Sequence, residues 1–209
     1  MENEMLKIFD DQRNPIGTAT REEVHRLGYW HEVFHCWFVS REGGKTYIYL
    51  QLRSKLKKDY PNLLDITAAG HLLAHETISD GVREIEEELG IDVSIEDLIP
   101  LGIIEYCVTR PGFIDKELAH VYLYEGEHFL DDARLQREEV TGLVRTEFDS
   151  FCKMWHGEIE EIKAEGFVMK DDQKVWVERM VGKNHFVPHE IAYYENVIQW
   201  MMKNKMARA

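Results

Sequence analysis

Five glutamates and one arginine crowd the stretch Gly70 to Ile91, GHLLAHETISDGVREIEEELGI: Glu76, Arg83, Glu84, Glu86, Glu87 and Glu88. Carboxylates packed this closely repel one another. Such a stretch is either a solvated helix side or a site for a hard divalent cation, which prefers oxygen ligands. Spacing separates the two. At 3.6 residues per turn, Glu84, Glu87 and Glu88 share an arc of roughly 100°. Ile78, Val82, Ile85 and Leu89 form a separate apolar stripe roughly 60° wide, suited to rest on a core, and Glu86 points elsewhere. Three carboxylates are thereby expected to converge, with Glu87 and Glu88 facing solvent and a metal. A cation held there would neutralise a polyanionic diphosphate, orient its scissile P–O bond and acidify water.

A helix of this kind needs a sheet beneath it, and strand signals precede and follow it. Leu6 to Phe9 and Ile16 to Ala19 flank the turn-rich DDQRNP and predict a hairpin. Thr20 with Glu23 predicts a capping box for a short helix through His25 and Arg26. Val33 to Ser40 and Lys45 to Leu52 are aromatic and β-branched and are joined through Glu-Gly-Gly, a second hairpin. A strand around Leu64 to Ala68 leads into the Gly70 loop. Ile103 to Thr109 and Leu118 to Tyr124 read as further strands, and Glu147 to His156 and His189 to Lys205 read as helices, the latter entered after Pro188. The order implies an α/β protein in which a mixed β-sheet is sandwiched between helices. No repeat or linker marks a boundary, so one domain spanning 1–209, with an N-terminal hairpin extension and a C-terminal helix, is expected.

Composition narrows the function classes. The 209 residues carry a formal charge of −14, which opposes a nucleic-acid-coating role because phosphate backbones demand a basic surface. Small phosphorylated ligands need only a local positive pocket. Cys36, Cys107 and Cys152 are odd in number and lack paired spacing, as expected of reduced core thiols in a cytoplasmic protein. The start MENEMLKIFDD has no signal-peptide pattern, and no apolar run approaches the ~18 residues of a membrane span. An exposed apolar hairpin edge could support a homodimer.

The segment REIEEELGI, Arg83 to Ile91, preceded by Gly70 and Glu76, resembles the Nudix box, and its second half fits at every fixed position. In the first half the loop between Glu76 and Arg83 is one residue short. Either Glu76 or His75 could therefore stand opposite Arg83. The resemblance implies the Nudix fold and a hydrolase acting on a small-molecule diphosphate. Glu84, Glu87 and Glu88, with Gly70, would hold Mg²⁺ or Mn²⁺. Glu84 would be a ligand or a base, and Arg83 would orient a carboxylate through a bidentate pair.

A finer resemblance covers the flanks. Arg53 through Lys57, Pro61, Asp65 and Gly70-His71 are similar to isopentenyl-diphosphate isomerases and their Nudix relatives, which would make Arg53 and Lys57 phosphate grips. The same resemblance makes His25, His31 and His71, with Asp115 and Glu117 on a later strand, a second metal site. One departure is chemical. Those isomerases carry a catalytic cysteine before the Gly-His pair, and Ala69 stands here. That residue cannot protonate a double bond, and the intact glutamates of the box also favour hydrolysis. Isomerase activity and a non-catalytic, ligand-sensing domain remain the alternatives.

Two further patterns compete. His31-Glu32-Val33-Phe34-His35 matches the H-E-x-x-H pattern of zinc peptidases, which requires a helix, but it runs into strand composition. On a strand, residues four apart lie roughly 13 Å apart, too far for one zinc. Glu138 and Glu139 are either a further ligand pair or a surface helix start. Tyr193 and Tyr194 are expected in the core.

Overall fold

The computed structural model describes residues 4–207. Its elements run β1 (Met5–Phe9), β2 (Pro15–Thr20), α1 (Arg21–Leu27), β3 (Trp30–Glu42), β4 (Lys45–Arg53), β5 (Leu64–Asp65), β6 (Ala68–His71), α2 (Arg83–Leu89), β7 (Ile99–Arg110), β8 (Phe113–Glu125), α3 (Phe129–Asp132), β9 (Val140–Glu147), α4 (Phe148–Trp155), β10 (Glu161–Lys170), β11 (Gln173–Gly182) and α5 (Ile191–Ala207). All the strands join one sheet, in the order β11-β10-β9-β4-β3-β1-β2 with β5, β6, β8 and β7 branching from β4 and β3. The sheet is mixed: β3 and β8 run parallel from Trp30↔Lys116 to Val39↔Glu125, and the remaining pairs are antiparallel.

β3 is the hub because both its faces are buried. Val33, Trp37 and Val39 join the core layer that contains Phe148, Phe151 and Met154 of α4 and Tyr193, Val197 and Ile198 of α5. Phe34, Cys36 and Phe38 join the opposite layer with Ile85 and Leu89 of α2 and Phe129 of α3. A strand buried on both sides reads as a nearly continuous apolar run, and residues 33–39 do so. Helices thus cover both faces of the sheet, and the acid-bearing α2 lies on one of them. Among the described residues no helix is long and apolar enough to cross a membrane.

Several expectations hold in detail. Thr20 and Glu23 make the reciprocal capping box of α1, which ends on Gly28 at φ 72°. The Glu-Gly-Gly turn joins β3 to β4, Tyr193 and Tyr194 are buried, and none of the three cysteines is in a disulfide. Only Cys36 lies fully in the core, whereas Cys107 and Cys152 are half-buried. The strand expected over Leu64 to Ala68 is two short ones, because Thr67 interrupts it: its Oγ1 donates to the carbonyl of Tyr49 at 2.6 Å and accepts from the N–H of Phe38 at 3.0 Å.

The strands β9, β10 and β11 were not expected. Gly142 lies inside β9, where a glycine weakens a strand reading. A Cβ there would come within 2.8 Å of the Phe167 carbonyl oxygen, so the glycine admits the close approach of β10. The β10–β11 hairpin turns on Asp171 and Asp172, both at positive φ (46° and 66°). Asp tolerates that conformation through its own hydrogen bonds, but it is a weaker hairpin signal than Asn-Gly.

Candidate active site

The segment 77–90 folds in two steps. Thr77 donates through both its N–H and its hydroxyl to the Asp80 carboxylate, at 2.8 and 2.7 Å, opening a 3₁₀ turn over Ile78–Val82. α2 follows from Arg83 and is stopped by Gly90 at φ 65°, whose N–H donates to Glu86 O. The apolar stripe is therefore shared between the turn and the helix. Ile85 and Leu89 are fully buried, while Ile78 and Val82 pack at the margin.

Arg83 organises the carboxylates. Its Nε and Nη2 donate to the two oxygens of Glu76 at 2.6 and 3.0 Å, Nη1 donates to Glu84 at 2.7 Å and Glu87 at 3.0 Å, and Nη2 also donates to His71 O at 3.2 Å. A guanidinium has five N–H donors, and all five have partners here, so none is left for a ligand. Glu76, which also accepts from the N–H of Leu73 at 2.7 Å, fills the position opposite Arg83. The shortened loop preserves that pair, and His75 does not take the place of Glu76.

β6 supplies the other wall. Its Gly70 faces Glu84 so closely that a Cβ would lie 2.1 Å from the carboxyl carbon. Only hydrogen fits there. Ala69 N–H donates to Glu88 Oε2 at 3.0 Å, and Gln51 Nε2 of β4 reaches the same oxygen at 3.2 Å. Glu88 is consequently buried, correcting the expectation that it faces solvent, and Glu87 is the exposed member. The three glutamates also do not form as tight a ligand group as the histidines described below. Burial pushes the Glu84 carboxyl up to about 7, with Glu87 adding repulsion against the opposing pull of Arg83. Burial, reinforced by Glu84, also raises Glu88 well above the usual carboxylate range. A buried acid beside a largely buried one, both resisting ionisation, is the condition that a bound cation relieves.

The glutamates open onto a cavity of about 990 Å³ that also reaches Arg53, Lys57, Glu138, Glu139 and the histidines. Lys57 is ion-paired with Glu139. Arg53 donates through Nη1 to Asp65 at 2.8 Å and through Nε and Nη2 to the carbonyls of Asp59 and Tyr60. Both basic residues are at the cavity, but Arg53 braces the loop after β4 as it stands there.

On the far side of β6, three elements bring His25 (α1), His31 (β3) and His71 (β6) together, with ring centroids 5.1–5.4 Å apart. Their ligand atoms lie within 4.8 Å of one another, as do those of His31, Asp115 and Glu117. Asp115 Oδ1 is 3.4 Å from His25 Nε2 and 3.6 Å from His31 Nε2. His31 Nδ1 lies 3.2 Å from the Tyr29 carbonyl, which can only accept, so Nδ1 carries the proton and the Nε2 lone pair faces the cluster. Burial holds His31 neutral, its pKa lowered to about 4. His31 Nε2, His71 Nε2, Asp115 Oδ1 and Glu117 Oε2 are all buried without a hydrogen-bond partner. Buried imidazole nitrogens and carboxylate oxygens converging without hydrogen-bond partners are the donor set of a metal, and the residues present fit one. His35 does not join the three histidines: its Nδ1 is 2.9 Å from the Tyr193 hydroxyl and its Nε2 is 3.6 Å from Glu117 Oε2. The H-E-x-x-H spacing is thus on strand β3 and does not assemble a peptidase site.

Several residues at or near the cavity had no role assigned to them from the sequence. Asp65 is held by Arg53 and by His189 Nε2 at 3.0 Å, and these hydrogen bonds and charges keep it well below the usual carboxylate range despite burial. Tyr106 and His35 complete that wall. The available signals were weak: a glutamine (Gln51) within an apolar strand and a histidine (His189) after Pro188.

Proteins of similar sequence and fold point to one family. No family model matches the chain. An uncharacterised Nudix hydrolase of Clostridium acetobutylicum is 42% identical over 203 residues, covering 97% of this chain and 98% of that protein. An isopentenyl-diphosphate Delta-isomerase of Corynebacterium diphtheriae is 30% identical over 151 residues, covering 69% and 79%. Among solved structures, the MutT protein of Methanosarcina mazei superposes with a TM-score of 0.53 at 17% identity, over 84% of this chain and 96% of that one. With the box residues gathered at one cavity on a fold of this kind and a relative matched from end to end, the chain belongs to the Nudix hydrolases.

Proposed function

We propose that this Nudix hydrolase is a Mg²⁺- or Mn²⁺-dependent pyrophosphohydrolase that cleaves a diphosphate bond in a nucleoside-diphosphate-linked or other organic diphosphate. The observation that carries the reading is the packing of largely buried Glu84 and buried Glu88 side by side against β6, at the edge of a large cavity, with their ionisation opposed. Arg83 is shared among Glu76, Glu84 and Glu87, and Glu88 accepts only from two uncharged donors, so the pair is short of positive charge that a cation would supply. Glu84, Glu87 and Glu88 would hold the cation beside Gly70. When bound, it supplies neutralisation of the diphosphate and acidification of water.

The remaining chemistry is the protein's own. Arg83, with every donor committed, fixes the positions of Glu76, Glu84 and Glu87 and does not touch the substrate. Glu84, wedged against Gly70, is either a ligand of the cation or the base that takes a proton from the attacking water. Lys57, once released from Glu139, and Arg53 are the cationic groups nearest the departing phosphate. His25, His31, His71 and Glu117, with Asp115, would hold a second cation on the opposite side of β6. In this reading the chain is one Nudix domain, with the β1–β2 hairpin and α5 as additions at its ends.

The resemblance to isopentenyl-diphosphate isomerases keeps a second reading open, and the histidine cluster favours it. Ala69 lines the cavity where those enzymes would place a cysteine and opposes it. One experiment separates the readings. Purified protein is given Mg²⁺ or Mn²⁺ and a panel of nucleoside-diphosphate sugars, dinucleotides and prenyl diphosphates, with products identified by mass spectrometry. Hydrolysis supports the proposal, double-bond migration supports the isomerase, and tight binding without any product supports a ligand sensor.

A further inference from the structure

Among the described residues β11 pairs with β10 and with no other strand, so it forms one end of the sheet. An edge strand offers a row of unpaired N–H and C=O groups, and proteins blunt such edges with proline, irregularity or short length. The opposite end is blunted in that way: β2 has six residues, begins at Pro15 and contains Gly17. β11 has ten residues, and its register with β10 runs unbroken from Lys170↔Gln173 to Glu161↔Gly182. It contains no proline and no glycine before Gly182. It also carries exposed Val175, Trp176 and Met180, with Trp176 58% accessible although it stands directly opposite buried Phe167.

We propose that β11 adds, antiparallel, to β11 of a second copy of this chain, across a two-fold axis centred on Trp176, so that two sheets become one. Charge complementarity selects this occupant and this register. A two-fold axis normal to the sheet keeps each side chain on its own face, so it must pass through a residue. Centring on Val175 sets Asp172 against Glu178. Centring on Val177 sets Trp176 against Glu178, Val175 against Arg179 and Lys174 against Met180. Centring on Glu178 or Arg179 opposes like charges directly. Centring on Trp176 alone sets Lys174 against Glu178 twice and Val175 against Val177 twice, with the two indoles facing at the axis. Opposite-charge, aliphatic and aromatic cross-strand pairs are each stabilising. Lys174 already donates to the carbonyls of Leu130 and Asp131, and Glu178 accepts from Lys163, yet an ammonium has a third N–H and a carboxylate a second oxygen.

The test is sedimentation of the full chain over a wide range of concentration. The wild type is expected to reach a species of twice the 24.7 kDa of one chain, with a blue shift of tryptophan emission on association. Trp176→Lys, which places two cations at the axis, is expected to remain monomeric with an unchanged circular-dichroism spectrum. Lys174→Glu and Glu178→Lys are each expected to be monomeric alone and to form a mixed dimer when combined, because the register restores both ion pairs. A wild type that stays monomeric at the highest concentration overturns the proposal. So does a dimer that survives Trp176→Lys, or a pair of charge variants that fails to associate on mixing.

Discussion

The two ligand clusters flanking β6 are built in opposite ways. The acidic cluster comes from one short contiguous stretch, Glu76 to Glu88, and is tied together by the salt bridges of a single arginine. The histidine cluster is gathered from α1, β3, β6 and β8, with His31 and His71 kept neutral by burial and several ligand atoms left without a hydrogen-bond partner. Local assembly makes the first robust to sequence drift elsewhere and visible in the sequence. Assembly over distance makes the second dependent on the whole sheet.

The largest effect should come from breaking the acidic cluster at its buried member. Glu88→Gln is expected to lower kcat by about 10²–10⁴-fold while preserving the circular-dichroism spectrum, since Gln51 and Ala69 N–H can still be satisfied by an amide oxygen. Near-full turnover in a steady-state assay would remove this residue from the chemistry. Next comes the wall: Gly70→Ala forces the Glu84 carboxylate aside and should cost about 10²-fold in turnover, because an ångström of misplacement has that scale of effect. The matched intervention on the other side is His31→Ala. It should weaken binding of a transition-metal ion by about 10–100-fold or more in calorimetry, leaving Mg²⁺ affinity at the acidic side within a few-fold. Loss of both affinities together would mean that the clusters are not separable.

The smallest effect concerns stability without metal. Glu84 has a folded pKa raised to about 7 from 4.5, so the folded state binds its proton more tightly than the unfolded state does. Its contribution is fully present below about pH 4.5 and is lost as pH rises through 7. Glu84→Gln removes that loss. In EDTA the variant should exceed the wild type by on the order of 2 kcal/mol at pH 8, after allowance for partial exposure, and by little at pH 5. His31 works in the other sense in both proteins: its folded pKa is lowered to about 4 from 6.5, so stability falls as pH drops through that interval. The difference between wild type and variant, read by urea titration, isolates Glu84. An unchanged difference across the range would show that Glu84 is not desolvated.

The legibility of each part follows from how far apart its residues lie in the chain. The box could be read because helical periodicity relates Glu84, Glu87 and Glu88 to Ile85 and Leu89 within two turns. The inward turn of Glu88 could not be, because it depends on Gln51 and Ala69, which lie outside the helix. The first two hairpins were legible through their turn residues. β9 and the β10–β11 hairpin were hidden by Gly142 and by an Asp-Asp turn, whose signals compete with strand and with loop. Nothing local in His25, His31 or Asp115 marks them as neighbours; only the family resemblance placed them together, and Ala69 was informative only against that resemblance.

The parallel partnership of β3 with β8 has a kinetic consequence. Trp30 meets Lys116 only after the intervening polypeptide has closed a long loop, and pairing of this reach retards folding far more than it affects final stability. The stretch that carries the box can form its turn and helix while β8 is still unpaired, whereas His31 cannot meet Asp115 until that closure is complete. In a refolding time course, chelation by the imidazoles should therefore emerge later than helical dichroism.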